Sequence, residues 1–157
     1  MKTTLFVTAF LFPAFVYAGV LGEKSSDVNA SANKASSASE IRVLKKQSSA
    51  GASFTTREAV TEYGTVTEYV RTDGVVFAIT WKGIEQPNLK EILGAYFFEY
   101  KTARNQDRQS KQRGHKKLSS TQSSRVLVSR FGNMRNMRGK AVAKDLMPEG
   151  LQIGEIQ

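Results

Sequence analysis

Between residues 64 and 81 apolar and polar side chains alternate in the run GTVTEYVRTDGVVFAITW, with Asp73-Gly74 near its centre. Alternation is the period of a strand with one buried face. Asp-Gly is a strong two-residue hairpin signal, because both residues tolerate the positive φ that such a turn needs. Folding about that pair sets Thr72 opposite Val75, Val70 opposite Phe77, Glu68 opposite Ile79 and Val66 opposite Trp81. Val66, Val70, Val75, Phe77, Ile79 and Trp81 then share a core face, and Thr67, Tyr69, Arg71, Val76, Ala78 and Thr80 the other. Glu68 is the odd member of the core face. A buried, unpaired carboxylate is costly, so either the face is open there or the carboxylate has a donor. The less regular run at residues 54–63 is expected to form a further antiparallel strand, ending at a bend on Gly64.

After Gly83 the period changes. Leu89, Ile92, Leu93, Tyr96, Phe97 and Tyr100 recur at three- and four-residue intervals, an apolar stripe along one face of a helix. Asn88 is placed to cap it, with Glu91 three residues later as in a capping box, and Pro87 and Ile92 placed for a hydrophobic staple. The helix is expected to run to about Ala103, with Gly94 allowing close approach to the sheet. Covering the sheet's apolar face with this stripe satisfies both. Residues 125–131 read as another strand with a turn at Gly132-Asn133. The Gly- and Pro-interrupted tail supports short strands or a helical turn near residues 141–146, ending at Pro148-Glu149-Gly150. The fold class is α+β: a small antiparallel sheet covered by one amphipathic helix, with a mobile N-terminal segment and a long basic loop.

The start of the chain has its own logic. Lys2 precedes a 14-residue stretch from Leu5 to Ala18, too short for a membrane span of about 20 residues, and it closes on Val16-Tyr17-Ala18. This is the pattern of a secretory signal peptide cleaved after Ala18. The expected organisation is a signal peptide at residues 1–18, a low-complexity, mostly disordered segment at 19–53, and one small domain at 54–157. Within the low-complexity segment, residues 22–51 are dominated by Ser, Ala, Asn and Lys with a short apolar interruption at Ile41, Val43 and Leu44, suited to a short edge strand or a tether. Residues 105–124 hold a single apolar side chain, Leu118, and read as a long polar loop. The chain has no Cys and one His, His115, which removes thiol chemistry and His or Cys metal clusters and leaves no cofactor implied.

The runs GTVTEYVRTDGVVFAITWKG and PNLKEILGAYFFEY, with the late MRNMRGKA and LMPEG, resemble the exported bacterial proteins of domain-of-unknown-function family 2844. The likeness rests on Gly64, Glu68-Tyr69, Gly74, Phe77-Ala78, Thr80-Trp81, Gly83, Pro87, Leu93-Gly94, Tyr96-Phe97 and Tyr100. It implies export to the periplasm or the outside of the cell, and it carries no catalytic residues or cofactor.

Charge narrows the functional classes. Residues 101–144 carry 13 Lys and Arg against one acid, whereas residues 19–100 carry 9 bases and 10 acids. Such a field attracts an anionic polymer or surface. In an envelope the available anions are an acidic envelope protein or an anionic envelope surface, and export argues against a specific nucleic acid. The candidate contacts are Lys111, Arg113, Lys116, Lys117, Arg125, Arg130, Arg135 and Arg138. The chain has no Gly-x-Ser-x-Gly elbow, no phosphate loop and no spaced catalytic pair, which argues against an enzyme. A catalytic pocket, if one existed, would be sought around Glu68. The leading expectation is a non-catalytic binding or accessory protein of the bacterial envelope. The alternatives are an inhibitor or chaperone-like adaptor acting through residues 105–124, and a hydrolase-type enzyme.

Overall fold

The computed structural model describes residues 19–25, 38–61, 63–110, 118–133 and 135–156. Seven antiparallel strands form one sheet: β1 (Ala38–Gln47), β2 (Ser53–Thr61), β3 (Gly64–Arg71), β4 (Val76–Gly83), β5 (Leu118–Gln122), β6 (Val126–Asn133) and β7 (Asn136–Ala143). Their order across the sheet is β1-β2-β3-β4-β7-β6-β5. Two meanders are thus joined where their last strands, β4 and β7, pair. Between the meanders the chain forms helix α1 (Leu89–Leu93), a 3-10 turn (Gly94–Tyr96) and helix α2 (Phe97–Ser110), packed on one face of the sheet.

The expected hairpin is present, with a different turn. Gly74 N donates to Arg71 O and Arg71 N to Val75 O, so the loop is Thr72-Asp73-Gly74, three residues long, with Gly74 at φ 87°. Asp73 Oδ1 accepts from Val75 N at 3.1 Å and pins the turn. Pairing near the loop is therefore one residue out of the expected register, with Val70 opposite Val76. Phe77 enters as a β-bulge, after which Glu68 faces Ile79 and Val66 faces Trp81 as the alternation predicts. The bulge corrects the face assignments at three positions: Val76 joins the helix-side core, Phe77 turns to the opposite face with Tyr69 and Ala78, and the half-buried Val75 belongs to neither core.

Both faces are consequently buried over the centre of the sheet. On the helix side, Val70, Val76, Ile79, Trp81, Val126, Val128, Ala141 and Ala143 meet Leu89, Ile92, Leu93, Tyr96 and Tyr100. These helical residues belong to the stripe read from the sequence, and Phe97 is partly buried against the same core. Asn88 caps α1, accepting from Lys90 N at 3.1 Å while its amide donates to Glu91 Oε1 at 2.7 Å. On the other face Phe54, Tyr69, Phe77 and Val142 are covered by Leu151 and Ile156 from the C-terminal segment, which contains a second 3-10 turn, Lys144–Leu146, and a third, Ile153–Glu155. Phe54, Tyr69 and Phe77 make ring contacts with centroids 6.0–6.2 Å apart.

Three further expectations are corrected. Of the segment expected to be mobile before residue 54, residues 19–25 and 38–53 are described, and both are built onto the sheet. The edge strand expected around Ile41, Val43 and Leu44 is present as the ten-residue β1, and Leu21 is fully buried beneath α1. The long basic loop at 105–124 is divided. Its first residues extend α2 to Ser110, well past Ala103, and its last form β5. The final hairpin turns between Asn133 and Asn136 rather than at Gly132-Asn133, with Arg135 at φ 68°. Residues 1–18, 26–37 and 111–117 lie outside the described residues.

Gly94 has a local reason. It breaks α1 from α2 at φ 48°, and a Cβ there would lie 2.3 Å from Val20 Cγ1. Its close approach is to the N-terminal segment, not to the sheet.

Candidate anionic-partner interface

Four of the eight candidate cations, Lys111, Arg113, Lys116 and Lys117, lie outside the described residues. The structure places the other four at two locations.

Arg125 sits at the start of β6 and is committed within the molecule. Its Nε donates to Glu99 Oε2 at 3.0 Å, its backbone N–H donates to Glu99 Oε1 at 3.0 Å, and its guanidinium stacks 4.9 Å above the Tyr96 ring. Glu99 is held at a pKa of about 2, first by a hydrogen bond from the Ser123 side chain, then by the Arg125 backbone and side chain and by Ser124. The bond to Glu99 in turn raises the guanidinium's pKa. Tyr96, whose hydroxyl donates to both Asp145 carboxylate oxygens at 3.1 Å, is pushed up to about 12 by burial and by that carboxylate. This cluster locks α2 to the β5–β6 turn. It is a fastening, with its donors and acceptors matched to each other.

Arg130, Arg135 and Arg138 gather at the far end of the β6–β7 hairpin. Alternation then separates them. Arg130 is opposite Gly139, on the helix side, with its Nη1 3.4 Å from Gln86 Oε1. It borders an open depression of about 160 Å³ that Trp81, Gln86, Ser119, Phe131, Met137 and Arg138 also line. Arg138 falls on the other face, where it is the register partner of Phe131 on β6 and of Lys82 on β4. All three side chains are exposed, Phe131 by 43%. Arg135, in the turn, is exposed beside them.

One row from Lys82, Arg138 and Phe131 the C-terminal segment covers this face. There Lys140 Nζ donates to Ile153 O at 2.9 Å and Ile156 O at 3.1 Å, and its burial lowers its pKa. Glu58 on β2 shares this face, separated from Lys140 by Thr67 and Thr80 in the ladder. Sequence reasoning missed Lys82 and Phe131. Their signal is the β4–β7–β6 register, which no local pattern reveals.

Glu68, the other position singled out, does find donors. Gly19 N lies 2.5 Å from Oε1, Ser25 Oγ 3.2 Å from Oε2 and Arg57 Nη1 3.8 Å from Oε2. Among the described residues no group of three His, Cys, Asp or Glu side chains is placed to hold a metal, and no helix is long and apolar enough to cross a membrane.

The model of the family described as "Protein of unknown function (DUF2844)" matches residues 18–156, and the chain belongs to this family. No curated protein and no solved structure matches it.

Proposed function

We propose that this is an exported, non-catalytic binding or accessory protein of the bacterial envelope, and that Lys82, Arg138 and Phe131, with Arg135 at the hairpin tip, meet the acidic face of a partner protein. The observation that carries this reading is the register: an exposed ring lies beside an exposed guanidinium, which lies beside an ammonium, on three hydrogen-bonded strands. Strands hold these side chains at fixed spacing, so little ordering entropy is lost on contact. A guanidinium is suited to bidentate carboxylate recognition, and an adjacent aromatic supplies desolvated area. The absence of any acid between Asp107 and Asp145 in the sequence leaves the local field positive.

The test is a pull-down of the exported protein from envelope extracts at low and high salt, beside a K82E/R138E double variant. Purely electrostatic adhesion is screened at high salt. The reading expects an acidic protein that wild type retains at both salt concentrations and the variant loses. Retention that vanishes with salt, or binding confined to vesicles of anionic lipid, overturns it.

A further inference from the structure

Glu68 stands on the core side of β3, its side chain 13% exposed, and the nearest donor is the backbone nitrogen of Gly19. That nitrogen belongs to the first residue after the expected cleavage point. We propose that removal of the signal peptide creates the ligand of this site: the new α-ammonium of Gly19 docks on the Glu68 carboxylate and fastens the mature N-terminus to the sheet. The step is hydrolysis of the Ala18–Gly19 amide by the export peptidase. Water supplies the hydroxyl that leaves as the Ala18 carboxylate on the released peptide. The Gly19 nitrogen takes up protons to become a cation.

The position of Gly19 is set by contacts that do not depend on its charge. Leu21 is buried, with its N–H donating to Ile92 O at 2.8 Å. Gly22 N donates to Val76 O and Ser25 N to Gly74 O, each at 2.8 Å, while Val76 N donates to Glu23 O. Val20 fills the space above Gly94. The chain is therefore tied at successive residues on the way to Glu68. Its nitrogen arrives 2.5 Å from Oε1, closer than the roughly 2.7–2.9 Å of a charge-assisted N–H···O contact.

The surroundings suit a charged donor. Glu68 is faced by Arg57 from β2, by Ile79 from β4, and by Ser25 and Gly19 from the N-terminal segment. Arg57 Nη1 stands 3.8 Å from Oε2 and also bonds Ser25 Oγ, leaving Oε1 to the Gly19 nitrogen. An amide offers that oxygen one hydrogen, whereas an ammonium offers three and a full charge. The residue's size matters as well: a Cβ at position 19 would press on the Glu68 carboxylate at 3.1–3.2 Å. The family match, beginning at residue 18, includes this whole segment.

The experiment uses the full-length precursor, exported and processed by a bacterial host. Intact mass and terminal sequencing are expected to place the mature terminus at Gly19. Acylation of the α-amine at pH 7 is then followed in the native protein and in urea. A carboxylate partner that raises the amine's pKa by one unit from its usual 7.7–8.0 slows the native reaction about tenfold. The isosteric E68Q variant is expected to label several-fold faster than wild type in the native state. Should E68Q fail to fold, the native-to-urea ratio of wild type decides alone. A mature terminus elsewhere than Gly19, or a native amine as reactive as the unfolded one, overturns the proposal.

Discussion

Trp81 and Gly139 are register partners across the β4–β7 junction, and the indole lies over the glycine: a Cβ on Gly139 would stand 2.2 Å from Trp81 Cζ2. This pairing joins the two meanders on the side that α1 and α2 cover. Gly139→Ala forces the indole or the Ser129 carbonyl, 2.7 Å from the same Cβ, to move. It is expected to destabilise by about 1–3 kcal/mol, the usual cost of overpacking, and Trp81→Ala by about 3–5 kcal/mol. Urea unfolding of both variants measures these losses. The double variant is expected to cost less than their sum, because the two sites share one contact.

The second core depends on the C-terminal segment reaching back over Phe77. Ile156→Ala is expected to cost about 2–5 kcal/mol, and Phe77→Ala about 3–5 kcal/mol. Deleting residues 148–157 uncovers Phe54, Tyr69 and Phe77 together. That truncation is expected to bind more of a hydrophobic dye under native conditions than the intact chain does.

Glu99 gives an acid-sensitive fastening. Its folded pKa, about 2, lies below the usual value of about 4.3 for an unfolded glutamate, so its contribution is present above pH 4.3 and is lost as pH falls toward 2. Glu99 and Arg125 are 26% and 51% exposed, so solvent screening holds the effect to the order of 1 kcal/mol. Glu99→Gln is expected to lower stability at pH 7 by that amount and to flatten this part of the acid limb, as followed by thermal unfolding at stepped pH.

The charge row makes a prediction of a different kind. K82E/R138E alters exposed side chains and leaves both cores untouched, so its melting temperature is expected within about 2–4 °C of wild type, the shift of at most 1 kcal/mol in a chain of this size. Partner retention is expected to be lost all the same. A variant that loses retention together with stability attributes that loss to the fold.

Much of this architecture was legible because local patterns and long-range packing agree. The alternation from Thr65 to Trp81 selects Val70, Ile79 and Trp81, and the stripe from Leu89 to Tyr100 selects Leu89, Ile92, Leu93, Tyr96 and Tyr100, all of them buried in the helix-side core. Asp73-Gly74 located the hairpin, but a two-residue loop and a three-residue loop with a compensating bulge are built from the same residues. The choice between them depends on Phe77 having a second core to enter. That core was illegible because Leu151 and Ile156 follow no strand or helix period in a tail broken by Pro148, Gly150 and Gly154. Likewise β7 hid behind Gly139 and Lys140, whose roles become clear when Trp81 and the tail carbonyls stand beside them. At the interface, Arg130 and Arg138 were visible as charge. Their division between opposite faces, and the company of Lys82 and Phe131, are products of register.

The most direct measurement of the proposed function is site-specific photo-cross-linking in the exporting cell. A benzoylphenylalanine is placed at Phe131, within the proposed contact row, or at Phe98, 79% exposed on α2 and away from it. A discrete adduct to an acidic envelope protein from position 131, absent from position 98, is the result expected. No adduct from position 131, or the same adducts from both positions, would contradict the assignment of this face.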